Sequence, residues 1–437
     1  MKKTSIKDLI PSERAKICGF VDTIRKTKNN YFVIIRDRTQ SIQVYINVKE
    51  NPEMVKTIDS INLESTVEIV GIPNLNSYVK NGGIEFIPES ITVVTVSTPS
   101  LPIDLDSSPE IRMDWRYLEL RNPKNLLIFE LQTVIEYAMR EYWMNNGFIE
   151  IHSPKLMSTS SESGSELFKL DYFGGDAYLS QSPQFYKQMA MSAGFEKIFE
   201  IGTVFRANPS FTSRHETEFI SVDAEISWID SHEDVMKLEE EWITYFMTKA
   251  KEKLGEKVKK FYGVNIEVPT LPFPRISLDR AKEIIREQGY VSPKNDDLNP
   301  EDEKILCEYV QKEFGHDFVF VTNYPVSARP FYHMRHEDNP TLTKSYDLLY
   351  RGIEVTTGAQ REHRYDVLKA QILEKQETEH DTSLLESLKH YLQFFEYGTV
   401  PHGGYGFGLS RLIMKLLNLP NIRSVTFLSR NPKRLTP

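Results

Sequence analysis

Five short β-rich runs crowd the start of the chain, KICGFVDTIR, NYFVIIRD, SIQVYINV, STVEIVGIP and GIEFIPESITVVTV, separated by turns and by one helical patch near NPEMVKTID. Five strands in so little chain fit a small closed barrel, and the OB-fold is the commonest five-stranded solution. The composition then changes. STPSLPIDLDSSPEIRMDWRYLELRNPKN is rich in Pro, Ser and Asp and has no sustained periodicity, which places an interdomain hinge over 98–125. The expected organisation is a barrel domain over 1–97, the hinge, and a second domain over 126–437. A chain of 437 residues can bury more than one core.

The second domain opens with Leu127, Ile128, Leu131, Val134, Ile135, Ala138 and Tyr142 at helical spacing, and Gly147 ends that helix. Strand-like runs follow at FIEIHSPKL, AYLSQ, KIFEIGTVF, EFISVDAEISWI, DFVFVTNYP and SYDLLYRGIEVTTG, with helical stretches at 232–254, 364–376 and 383–395 and an acidic insert, SPKNDDLNPEDE, at 292–303. Hairpins and long excursions join the strands instead of regular βαβ alternation. The class is therefore α+β, with a large antiparallel sheet flanked by helices.

Lys and Arg number 53 against 62 Asp and Glu, a formal charge of −9 that argues against a bulk electrostatic grip on nucleic acid and leaves room for local basic grooves. One concentration of positive charge stands out: TVFRANPSFTSRH, at 203–215, reads as a long hairpin loop between two strands and suits an anion. Cys18 and Cys307, without histidines at ligand spacing, suggest neither a zinc site nor a disulfide and read as packing residues. MKKTSIKDLIPSERAKI has no apolar stretch after its lysines, and no run of about 18 apolar residues occurs, so a cytoplasmic protein is expected. GGYGFGLSRL invites a phosphate-binding reading but lacks the Gly-Lys-Ser/Thr ending of a P-loop; a tight strand-to-helix turn explains it equally well.

Taken in order, GFIEIHSP, FRANPSFTSRHETEF, GIEVTTGAQREHR and GGYGFGLSRL resemble motifs 1, 2 and 3 of the class II aminoacyl-tRNA synthetases. The N-terminal barrel, RYLELRNP, SESGSELF and the pairing of QSPQFYKQ with GAQREHR are similar to the aspartyl-tRNA synthetases, in particular the short archaeal and eukaryotic-like type. The likeness runs from about residue 15 to RNPKRLTP. It implies activation of L-aspartate by ATP, with Mg²⁺, and transfer to tRNA-Asp, by a homodimer with Pro154 of motif 1 at the interface.

The resemblance also assigns residues. Arg206 would bridge the α-phosphate and the attacking carboxylate, Arg214 and His215 would reach the β- and γ-phosphates, and Phe219 and Arg411 would sandwich the adenine, Arg411 also meeting the γ-phosphate. Glu354 and Thr357, with Asp347 at longer range, would supply oxygens for Mg²⁺; on one strand Asp347 and Glu354 face opposite sides, and only a turn at Arg351-Gly352 resets the register. Lys187 and Arg361 would hold the substrate side-chain carboxylate, with Gln184 nearby and Glu162, in the 161–168 loop, on the α-ammonium. Asparagine would then leave two buried cations without an anion, at a cost of about 3–5 kcal/mol. In the barrel Phe32 would stack on the central anticodon base while Gln43 and Glu85 bond its neighbours. Without the family, Phe32 and Phe219 read as core residues, Arg411 and Lys187 as helix-surface charges, and 206–215 as a solvated hairpin tip.

Three positions depart from the family pattern: Asn208 replaces the usual motif 2 glutamate, Ser410 replaces an acidic residue before Arg411, and Phe20 replaces a barrel tryptophan. The last leaves open whether tRNA-Asn is accepted beside tRNA-Asp. The rival readings are an asparaginyl-tRNA synthetase, a paralogue that binds tRNA or nucleotide without charging it, and a synthetase-derived amide ligase, which would have no reason to keep the barrel.

Overall fold

Strands β1 (Ala15–Lys26), β2 (Asn30–Arg36), β3 (Ser41–Asn47), β4 (Thr66–Leu75) and β5 (Ile84–Thr95) close into a barrel in the order β1-β2-β3-β5-β4. Alternation decides what fills it: Val33, Ile35, Val44, Ile46, Val67 and Ile69 point inward and are buried. Their neighbours Phe32, Gln43 and Tyr45 lie on the other face. Phe32 is therefore not barrel core. The computed structural model describes residues 1–79, 83–104, 106–159, 167–209 and 212–437, and the chain forms two units, Met1–Trp115 and Arg116–Pro437.

The stretch expected as a hinge carries local order of its own. Helices cover Pro109–Asp114, capped by Ser108, and Arg116–Glu119, and a long helix starts at Pro123, four residues before the apolar periodicity begins at Leu127, because Asn122 accepts from Lys124 N and proline takes the first turn. Arg116 belongs to the second unit: its guanidinium donates to the carbonyls of Ser424, Thr426 and Phe427 and pairs with Glu119.

In the second unit β6 (Ile149–Glu150), β7 (Leu156–Met157), β8 (Lys169–Tyr172), β9 (Gly175–Leu179), β10 (Lys197–Phe205), β11 (Glu218–Ser227), β12 (Arg275–Ser277), β13 (Phe318–Thr322), β14 (Ser345–Tyr350), β15 (Glu354–Gln360) and β16 (His402–Phe407) follow in turn. Eight of them form one sheet, β12-β13-β14-β15-β16-β11-β10-β6; β7, β9 and β8 form a small second one. The large sheet is antiparallel through its centre, as the hairpin-rich sequence implies, but parallel at both edges, β12 with β13 and β6 with β10. The helices Pro123–Asn145 and His232–Tyr262 cover one face, where Trp143 stacks on Trp242 at 4.7 Å and on Phe199 at 4.5 Å. Val222 and Ala224 of β11 face these helices, so Phe219, Ser221, Asp223 and Glu225 are turned to the opposite face.

One carboxyl lies inside this core. Glu239, on the helix beneath the sheet, is fully buried and accepts from the Tyr346 hydroxyl at 2.8 Å; burial pushes it up from 4.5 to about 8. Between those values the unfolded chain has released the proton that the folded chain retains, so the contribution of Glu239 to stability falls as pH rises from about 4.5 to 8 and levels off above, while the buried His232 and His402, both lowered to about 4, act in the opposite direction below about 6.5. At 1.36 kcal/mol per unit the fall is of the order of 4–5 kcal/mol. Glu303, pushed up to about 7 by burial, adds to the lower part of that window. Glu239→Gln, which cannot ionise, is expected to remove the part of the decline above pH 7. Melting temperatures of the two proteins from pH 5 to 9 check this; parallel curves would refute it.

Candidate active site

The open face of β11, β15 and β16 forms the floor of a cavity lined by Gln184, Lys187, Arg206, Arg214, His215, Phe219, Glu354, Thr357, Arg361 and Arg411. Ten of the residues singled out from sequence thus share one pocket, together with two of the three departures, Asn208 and Ser410. Glu162 lies outside the described residues, and Asp347 stands behind the wall, bonded to Thr357.

Lys187 enters from the helix Gln184–Ser192 and Arg361 from the end of β15; both are buried, which a helix-surface lysine would not be. They already have anions. Lys187 Nζ donates to Asp223 Oδ1 at 2.9 Å and to the Tyr405 carbonyl at 3.1 Å, with Glu225 Oε2 at 3.4 Å. Arg361 Nε bonds Glu225 Oε1 at 2.9 Å, Nη2 bonds Gly404 O at 2.9 Å, and Nη1 donates to His333 Nε2 at 3.0 Å. Burial and the neighbouring Arg361 and Arg329 hold His333 far below the ordinary imidazole range, so it is neutral and accepts. Two cations and two carboxylates sum to zero at this end of the pocket. The expectation of two cations left bare by an amide is therefore corrected: Asp223 and Glu225 already pair with both in place.

Asp223 and Glu225 were not singled out from sequence, although two acids at a spacing of two inside an apolar strand are a readable signal. They also explain two of the glycines of GGYGFG. Gly406 pairs with Asp223 and Gly404 with Glu225 across the β11–β16 ladder. A Cβ on Gly404 would collide with the Glu225 carboxylate and the Ala224 carbonyl, and one on Gly406 would come within 3.2 Å of Asp223 Oδ1. These glycines make room for carboxylates of the protein itself.

The other end of the cavity is cationic. Arg206, just past β10, is exposed, with its guanidinium 5.5 Å from the centre of the Phe219 ring. Phe219, paired with Val204 in the hairpin, presents its face to the cavity instead of the core. Arg411 opens the helix Leu409–Leu416 and donates Nη1 to the Glu354 carbonyl at 2.8 Å, with Glu354 Oε1 at 3.3 Å. Arg214 pairs with Glu303 at 3.0 Å. Burial and the charges of Arg411, Arg214 and Arg206 lower the His215 pKa, so at neutral pH this ring offers an N–H and not a charge.

The hairpin between β14 and β15 settles the register question. Arg351 and Gly352 both take positive φ, 46° and 80°, in the turn that pairs Leu349 with Glu354, and a register shift between Leu348 and Leu349 then sets Asp347 directly opposite Thr357. Thr357 Oγ1 lies 2.9 Å from Asp347 Oδ1 and 3.3 Å from Glu354 Oε1, one hydroxyl proton between two carboxylates. Burial and the nearby Glu354 charge raise the Asp347 carboxyl against the pull of Arg329, whose Nη2 is 2.7 Å away. Two crowded carboxylates and a hydroxyl fit Mg²⁺, which takes few protein oxygens and completes its shell with phosphate and water. Among the described residues no cluster of three or more His, Cys, Asp or Glu offers a fuller metal site.

On the barrel, the Arg25 guanidinium lies 4.4 Å from the centre of the Phe32 ring and Tyr45 packs beside it at 5.8 Å. Gln43 Nε2 is 3.5 Å from Glu85 Oε2, and Asn76 holds the other oxygen at 2.7 Å. Phe32, Gln43 and Glu85 thus share one surface, with register pairs Phe32–Tyr45 and Gln43–Glu85. Pro154 is exposed beyond the short edge strand β6.

The fold and this site are those of an ATP-dependent, amino-acid-activating class: the chain belongs to the class II tRNA synthetases of the D, K and N group, whose family description matches residues 108–432, while residues 15–94 match the OB-fold nucleic acid binding domain. Among similar proteins, the aspartate–tRNA(Asp) ligase of Pyrococcus abyssi is 41% identical over 99% of this chain and 98% of its own. The aspartate–tRNA(Asp/Asn) ligase of Aeropyrum pernix is 39% identical over the whole of both. The crystal structure of asparaginyl-tRNA synthetase from Pyrococcus horikoshii, complexed with asparaginyl-adenylate, superposes over the full length of both chains with a TM-score of 0.92 at 30% identity.

Proposed function

We propose that this chain is an aspartate–tRNA ligase: it activates L-aspartate with ATP and transfers the aspartyl group to the 3′ end of tRNA-Asp. The observation that carries the proposal is a single cavity joining a buried Lys187–Arg361 end to an end lined by Arg206, Arg214 and Arg411. An oxygen of the aspartate α-carboxylate attacks the α-phosphorus, the bond from that phosphorus to the bridging oxygen breaks, and pyrophosphate leaves. The terminal ribose hydroxyl of the tRNA then attacks the mixed anhydride and AMP departs. Arg206 is suited to bring carboxylate and α-phosphate together, and Arg214, Arg411 and the His215 N–H to hold the other phosphates; such a reaction needs position and charge more than covalent help. Phe219 offers the adenine a face. Asp347, Glu354 and Thr357 would hold Mg²⁺, which neutralises phosphate charge when bound.

Gln184, Lys187 and Arg361 read the side chain, the last two through the N–H groups that Asp223, Glu225 and His333 hold in place. Asparagine is the second reading, favoured by the neutral charge sum and by the asparaginyl structure; the higher identity to ligases named for aspartate supports the first. Charging of tRNA-Asp with labelled aspartate tests the proposal, with tRNA-Asn in parallel because Phe20 leaves that choice open. We read the β6 edge around Pro154 as a homodimer surface, supported by the half-exposed Ile149 and Leu156 that flank it. Among the described residues, no helix is long and apolar enough to cross a membrane.

Phe32, Gln43 and Glu85 are read as the anticodon face. Phe32→Ala is expected to raise the KM for tRNA by roughly 5- to 150-fold, the equivalent of about 1–3 kcal/mol of stacking, while aspartate-dependent pyrophosphate exchange is unchanged. Charging and exchange kinetics on one preparation check both halves.

A further inference from the structure

We propose that Glu303, at the end of the acidic 292–303 segment, is a positioning residue for ATP: it holds Arg214 at the phosphate end of the cavity until the terminal phosphates take the arginine over. The inference rests on reading that cavity as an ATP site. The segment is anchored to the catalytic unit: Lys282 Nζ donates to Ser292 Oγ, the carbonyls of Lys294 and Asp297, and Asp302 Oδ2, all within 2.9 Å. Asn299 caps the helix Pro300–Phe314 in a capping box with Asp302, which puts Glu303 in its first turn, aimed at the hairpins of the site.

Glu303 is buried, and its Oε2 accepts from Arg214 Nη1 at 3.0 Å and from the backbone N–H of Glu354 at 3.3 Å. Both partners belong to the cavity wall. A fixed buried carboxylate beside a triphosphate site opposes the ligand's charge, so its presence there calls for a compensating role. Arginine supplies one. The guanidinium has five N–H donors in a fork, and Glu303 engages one of them, so Arg214 is held near its working position, partly desolvated, with donors left for phosphate. The terminal phosphates then compete with Glu303 for the same cation, and ATP affinity is set by the difference between the two pairings.

Titration calorimetry on the full chain at pH 8, where Glu303 is ionised, with MgATP and with AMP, tests this in wild type, Glu303→Gln, Arg214→Ala and the double variant. Glutamine keeps the shape and the acceptor for Glu354 N–H but weakens the hold on Arg214. Glu303→Gln is expected to bind ATP about five-fold more tightly with AMP affinity unchanged, and to lose that gain when Arg214 is alanine. In exchange kinetics the KM for ATP falls by the same factor and the KM for aspartate does not move. ATP affinity that is unchanged or weaker in Glu303→Gln, or a gain that survives in the double variant, overturns the proposal. Should Glu303→Gln fail to fold, Glu303→Asp, whose shorter arm loosens the hold on Arg214, takes its place: it must tighten ATP and leave AMP unaffected, and ATP affinity unchanged or weaker overturns the proposal. Binding needs no turnover, so absent aspartate-dependent exchange would refute the functional reading without touching this result.

Discussion

Replacing Arg361 by leucine is expected to abolish aspartate-dependent pyrophosphate exchange, with a loss in kcat/KM of at least about 1,000-fold, equivalent to roughly 4 kcal/mol. The same change destabilises the catalytic unit. Arg361 is the partner of a fully buried Glu225, and its removal leaves that carboxylate with only Lys187 at 3.4 Å. Breaking a buried pair from one side costs about 3–5 kcal/mol, much of it the stranded charge. The double variant Arg361→Leu with Glu225→Gln separates the two effects: without the stranded charge, melting recovers most of its loss, while exchange stays absent because the donor to the substrate is still gone. Recovery of exchange in the double variant would show that Arg361 serves only to neutralise Glu225.

The second large effect belongs to Arg206. Arg206→Ala is expected to lower kcat for adenylate formation by about 100- to 1,000-fold, the usual cost of removing one donor aimed at developing charge. Stability should not change beyond about 0.5 kcal/mol, because the side chain is exposed and lies over the Phe219 ring. Single-turnover adenylate formation and a melt on the same variant check both; a fall confined to the KM for ATP would make Arg206 a binding residue without a part in the transition state.

The strands and the pocket were legible to different degrees. Alternation in NYFVIIRD and SIQVYINV fixes the barrel, and the apolar run KIFEIGTVF with its partner fixes the hairpin that carries Arg206, since period-two burial is a local property of sequence. Local pattern could not show that Lys187 and Arg361 are neutralised in place. That follows from β11 lying between β10 and β16, an adjacency between segments nearly two hundred positions apart. Asp223 and Glu225 did leave a signal, as acids on alternate positions of a buried strand. The Arg214–Glu303 pair left none, because its members are 89 positions apart and the sequence of the 292–303 segment shows only an acidic insert. Asp347 shows the converse: its parity with Glu354 argued against a shared face, and the tight turn at Arg351-Gly352 overrode parity.

The most direct test of the account is amino-acid-dependent exchange of pyrophosphate into ATP on the purified protein, with aspartate and asparagine run side by side. The account predicts exchange with aspartate and none above background with asparagine. Exchange with asparagine in place of aspartate would contradict the reading of Lys187 and Arg361 as carboxylate-holding groups.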